Sequence, residues 1–84
     1  MFFTLKSKND VAMDKILWET IKTLRELGYR NIRLVKVKKR YAIIQADMDI
    51  IRVAWNKREI YITVVEINPL KAQLLWKALT IKLK

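Results

Sequence analysis

Asp47 and Asp49 form an Asp-x-Asp pair, a spacing at which two carboxylates can hold a magnesium ion. The same residues suit a plainer role, Asp47 as a helix cap and Asp49 as an acid in the first turn, facing the positive end of the helix dipole. The chain offers such a pair little help, because it contains no His and no Cys. Their absence removes imidazole acid–base chemistry, thiol nucleophiles, disulfides, charge-relay triads and most zinc sites. No intrinsic active site, cofactor or metal is expected. A nuclease acting alone would have to work through the Asp47 pair.

The second constellation is cationic. Lys and Arg number 18 against 8 Asp and Glu, a formal charge of +10 in 84 residues. The excess is local: Tyr29 to Arg40 holds Arg30, Arg33, Lys36, Lys38, Lys39 and Arg40 with no acid. Ile67 to Lys84 adds Lys71, Lys77, Lys82 and Lys84, again with no acid, whereas Asp10–Gly28 and Tyr41–Glu66 each sum to minus one. A stripe of this kind attracts polyanions over long range, so nucleic acid is the expected ligand. Arg30, Arg33, Lys36, Lys38, Lys39, Arg40 and Lys71 are the expected nucleic-acid-binding residues. The alternative is a solvated basic hairpin in a hot-adapted protein, a habitat that the Lys and Ile content also fits.

Aromatic residues form the third set. Phe2, Phe3, Tyr41 and Tyr61 would offer stacking surfaces if they stood on an open sheet face, although core packing accounts for most such residues. Lys39-Arg40-Tyr41-Ala42-Ile43-Ile44-Gln45-Ala46 resembles the central strand signature of RNA-recognition motifs in part. Arg40 replaces its glycine, and Ile43 and Ala46 replace later aromatics. That departure argues against readout of single strands by base stacking. Trp18, Trp55 and Trp76 are more indole than so small a chain buries easily, which makes them candidate partner contacts, Trp18 foremost.

These residues must be positioned by one small domain spanning residues 1–84, since a chain of this length hides only about 60–65% of its unfolded surface. Phe2, Phe3 and Leu5 predict a first strand. Ser7-Lys8-Asn9-Asp10 matches a capping box. Met13, Ile16, Leu17, Thr20, Ile21, Leu24 and Leu27 then predict a helix of about five turns, with Gly28 as its C-terminal stop. Ile32–Val37 and Tyr41–Ala46 predict a hairpin around Lys38-Lys39-Arg40, a turn without glycine.

Asp47 to Trp55 is ambiguous. Ile51, Ala54 and Trp55 suit a helix, Ile50 and Val53 a strand, and a short helix capped by Asp47 is the expectation. Ile60 to Ile67 alternates two apolar faces and should form a central strand. Asn68 and Pro69 then start a last helix with Leu70, Leu74, Leu75, Ala78 and Leu79 on its apolar side, fraying beyond Thr80. The order βαββαβ plus a C-terminal helix is the split βαβ, ferredoxin-like or RRM-like α+β arrangement, with an antiparallel sheet.

The first strand, the Ser-started helix with Trp18 and Gly28, the hairpin, the short helix and the Ile60–Lys71 segment follow in an order that resembles archaeal ribonuclease P protein component 2. The resemblance covers nearly the whole chain through Phe3, Ser7, Asp10, Trp18 and Gly28. It departs where Asn68-Pro69-Leu70-Lys71-Ala72 replaces a Ser-Gly-Thr segment, in the glycine-free hairpin and in a shorter chain. What it implies is a noncatalytic ribonuclease P subunit for tRNA 5′-leader processing. Such a subunit binds the ribonuclease P RNA and pairs with protein component 3, often as a heterotetramer, while the RNA performs the hydrolysis.

A free-standing ferredoxin-like DNA- or RNA-binding module and a protein-interaction adaptor are the alternatives. No stretch approaches the ~20 apolar residues of a bilayer span, and no secretory signal opens the chain, so a cytoplasmic protein without membrane attachment is expected.

Overall fold

The computed structural model describes residues 2–6, 12–56, 59–64 and 69–83. The elements run β1 (Phe2–Lys6), α1 (Met13–Glu26), β2 (Ile32–Val37), β3 (Tyr41–Ala46), β4 (Asp49–Asn56), β5 (Glu59–Val64) and α2 (Pro69–Lys82). The fold is α+β, with a five-stranded sheet of order β1-β5-β4-β3-β2 in which every neighbouring pair is antiparallel. Strands β2 to β5 form a meander, and β1 closes the sheet beside β5.

This order is not the βαββαβ expected from the sequence. The reason lies in Asp47–Trp55, which forms a turn and a strand where a helix was expected. Asp47 takes φ +54, a left-handed conformation that Asp tolerates in turns, and Asp47 and Met48 link the paired residues Ala46 and Asp49. Beyond them Ile51 and Val53 are buried while Ile50 and Arg52 are exposed, a period of two. Ile51 to Ala54 pair with β3 on one side and β5 on the other, ladder partners that a short helix could not supply. The expected central strand is observed as β5, flanked on both sides, through Val64; Val65 to Asn68 lie outside the described residues, as does the Ser7–Asp10 box.

Helix α1 starts at Met13 after an extended Ala12 that makes no side-chain cap, so it runs about four turns where five were expected, and it follows its apolar stripe: Ile16, Leu17, Thr20 and Leu24 are buried, with Met13, Ile21 and Leu27 packed at the margin. Two buried threonines on this face satisfy their hydroxyls locally, Thr20 Oγ1 donating to the Ile16 carbonyl and Thr23 Oγ1 to that of Glu19, both at 2.7 Å. Gly28, at φ +101, ends the helix in a Schellman motif. Its N–H donates to the Arg25 carbonyl at 3.0 Å, and the Tyr29 N–H reaches back to Leu24 at 3.2 Å.

Both helices pack on one sheet face. Ile16 and Leu24 of α1, and Ala72, Leu75 and Leu79 of α2, enclose Ala42, Ile44, Ile51, Val53 and Ile60. Each large aliphatic buried there stabilises the fold by about 1.5–3 kcal/mol. Lys82 ties the helices together, its Nζ donating to Thr23 Oγ1 at 2.9 Å and Glu26 Oε1 at 2.6 Å. The final helix departs from expectation at two points. Leu70 and Leu74 are exposed, on the side away from the core, and the tail beyond Thr80 stays helical through Lys82, with Leu83 only 2% exposed. No described helix is long and apolar enough to cross a membrane.

Candidate nucleic-acid interface

With the helices on one face, the other face of β2, β3 and β4 is left to solvent. Register arranges its side chains in cross-strand rows. Arg33, Gln45 and Ile50 form the first, Lys36, Ile43 and Arg52 the second, and Tyr41, Ala54 and Tyr61 the third. Successive rows lie about 6.8 Å apart along the strands. Arg33 Nη2 donates to Gln45 Oε1 at 2.9 Å, which fixes the guanidinium over the sheet. The Arg52 guanidinium lies 4.7 Å from the Tyr41 ring centroid, and Lys36 Nζ lies 6.0 Å from it. Both cations flank Ile43, one strand to either side, and converge on the ring one row away.

Lys38, Lys39 and Arg40 extend this surface beyond the end of β2 and β3. Their loop needs no glycine, because among the described non-glycine residues Asp47 alone has a positive φ. It is held by polar contacts instead. Lys38 N–H donates to the Tyr41 carbonyl at 2.8 Å, Trp55 N–H to the Arg40 carbonyl at 2.9 Å, and the Trp55 indole Nε1–H to the Lys39 carbonyl at 3.2 Å. Arg40 Nη1 reaches Asn56 Oδ1 at 3.1 Å. Among the described residues no carboxylate stands on the open face of β2, β3 or β4; Asp47 lines a groove with Arg33 at one end, and Glu59 of β5 pairs with Asn56 near the other.

The structure thus brings together Arg33, Lys36, Lys38, Lys39 and Arg40, and separates two other candidates from them. Arg30 sits at the opposite end of the hairpin, where its backbone N–H and that of Asn31 donate to the Asp47 carboxylate at 3.3 and 2.9 Å. Lys71 belongs to α2, its Nζ 4.4 Å from the Tyr29 ring centroid. Arg52 is not among the residues expected from the sequence, because its segment reads as a short helix there, with Ile51, Ala54 and Trp55 weighing against the β-branched Ile50 and Val53.

The Asp pair is occupied structurally. The Asp47 carboxyl is held below its usual range by the backbone hydrogen bonds from Asn31 and Arg30, and Asp49 Oδ2 accepts from the Tyr29 hydroxyl. Burial, and then that hydrogen bond, push the Tyr29 hydroxyl well above the usual tyrosine range. A shallow groove lined by Asn31, Ile32, Arg33, Gln45 and Asp47 opens beside the Arg33–Gln45 pair.

The tryptophans divide as well. Trp18 is 62% exposed, on the side of α1 opposite its apolar stripe. Trp55 and Trp76 pack at the margin of the core, and the Trp76 indole N–H donates to the Thr4 carbonyl at 3.3 Å. In comparisons with known proteins the chain matches no protein family, no curated protein and no solved structure.

Proposed function

We propose that this protein is a noncatalytic nucleic-acid-binding module that grips a polynucleotide through the open face and loop of its β2–β3 arm. The observation that carries the reading is the placement of Arg33, Lys36 and Arg52 on the open face of β2 to β4, next to the exposed Lys38–Arg40 loop, with no carboxylate on that face of those three strands among the described residues. A protein charged only for solubility intersperses both signs, whereas this surface has the one-sided pattern that screens phosphate repulsion. The Asp47 and Asp49 carboxylates serve the fold, which leaves strand cleavage outside the chemistry assigned to this chain.

Fluorescence anisotropy with labelled oligonucleotides tests the proposal. The variant carrying Lys36→Gln, Lys38→Gln, Lys39→Gln and Arg40→Gln should bind at least about tenfold more weakly than the parent, with an unchanged circular dichroism spectrum. Failure of the parent to bind any oligonucleotide, or equal binding by the variant, rejects it.

A narrower proposal retains the ribonuclease P subunit, with ribonuclease P RNA on the basic arm and protein component 3 on the exposed Trp18 face of α1. Its support is the order of features along the sequence together with the basic arm; against it, the short helix of that order is strand β4, and the strand order departs from the βαββαβ arrangement expected from the sequence. Reconstitution at low magnesium decides it: leader removal from precursor tRNA that is unchanged when this protein is omitted rules the assignment out.

A further inference from the structure

The surface that carries the charge also carries planar and apolar groups, and this combination narrows the ligand. Ile50 is 40% exposed, and Tyr41 and Ile43 are half-buried among Arg33, Lys36 and Arg52. A duplex keeps its base faces stacked inside and offers a sheet only its phosphates and groove edges, so exposed apolar side chains between the cations would gain nothing from it. Unstacked bases have apolar faces of their own, and these seek aromatic rings and guanidinium planes.

We propose that the open face binds a single-stranded polynucleotide segment, with a base stacked on the Tyr41–Arg52 pair and neighbouring phosphates held by Lys36 and the Lys38–Arg40 loop. The inference rests on the nucleic-acid reading above and deepens it. The Arg52 guanidinium lies over the Tyr41 ring, 4.7 Å from its centroid, so the two already stack and a base would extend that stack on the guanidinium plane. Lys36, 6.0 Å from the same ring, places an ammonium within reach of the backbone of a nucleotide stacked there. Ala54, the smallest side chain of its row, stands between Tyr41 and Tyr61. The Trp55 hydrogen bonds to the loop carbonyls keep the phosphate-binding end in register with the stacking end. This reverses the expectation from the partial strand signature, because Tyr41 reaches the open face without the neighbouring aromatics of that motif.

The test compares labelled U-rich RNA, T-rich DNA and a blunt RNA hairpin, each with the parent, Tyr41→Leu and Tyr41→Phe. Tyr41→Leu should weaken single-strand binding by about tenfold. Tyr41→Phe should stay near the parent, and hairpin binding should be equal for all three. An oligonucleotide with one 2-aminopurine should lose fluorescence on the parent and keep it on Tyr41→Leu. The RNA and DNA arms show which sugar the surface accepts. Single strands and hairpin bound equally, with no effect of Tyr41→Leu and no quenching, overturn the stacking inference while the phosphate-binding proposal stands. Absence of binding to every oligonucleotide overturns both.

Discussion

Gly28 is the one glycine of the chain, and its backbone conformation explains its place. At φ +101 it turns α1 into β2 while its amide and that of Tyr29 satisfy two terminal carbonyls of the helix. A Cβ there would meet nothing within 4 Å, so the penalty of a side chain is conformational and not steric. Gly28→Ala should therefore cost about 1–2 kcal/mol in urea unfolding with an unchanged denaturant slope. Gly28→Asn should cost less, since Asn visits positive φ more readily. This position was legible in the sequence because few residues can end a helix in this way. The stacking role of Tyr41 was not, because tyrosine belongs equally well in a core, and its setting depends on which strand lies beside it.

Among the elements, the β3–β4 turn shows how one residue serves two strands. Asp47 makes the turn and accepts the backbone amides at the entry to β2, so ionised Asp47 ties the entry of β2 to the exit of β3. Because these bonds lower its pKa in the folded state, the stabilisation is fully present above the ordinary carboxylate range and is lost as pH falls through the folded value. Asp47→Asn keeps a side-chain acceptor and the tolerance for positive φ but cannot titrate. In thermal melts from about pH 6 down to about pH 3, the parent should lose more of its midpoint than Asp47→Asn does. Parallel curves would show that the carboxylate is not held as described. Asp47 was singled out in the sequence as a cap, correctly as to its chemistry and wrongly as to the element. A short acceptor that tolerates unusual dihedrals suits a helix start and a hairpin turn alike.

At the scale of the molecule, the sheet separates two jobs. One face is sealed by α1 and α2, and the other collects charge. If all six cations of the arm engage phosphates, the logarithm of affinity should fall against the logarithm of salt concentration with a slope of roughly minus four for a single strand. The fourfold Gln variant of the arm should bring that slope near minus one. A slope that is the same in both proteins would place the contacts elsewhere. The exposed Leu70, Leu74 and Ile81 of α2 and Trp18 of α1 lie on the helical side, away from this surface.

The sequence by itself determined where the charge lies along the chain, the apolar stripe of α1 and its glycine stop, the β2–β3 hairpin and the lack of imidazole and thiol chemistry. All of these depend on residue type and local period, which neighbours distant in the chain do not change. Tertiary structure decided the identity of Asp49–Asn56 and, through it, the sheet order and the composition of the open face. That segment satisfies both periods about equally. The choice falls to hydrogen-bond partners on β3 and β5, which no local pattern records. Arg52 joined the basic surface by the same choice, because a strand sends alternate side chains to opposite faces and a helix does not.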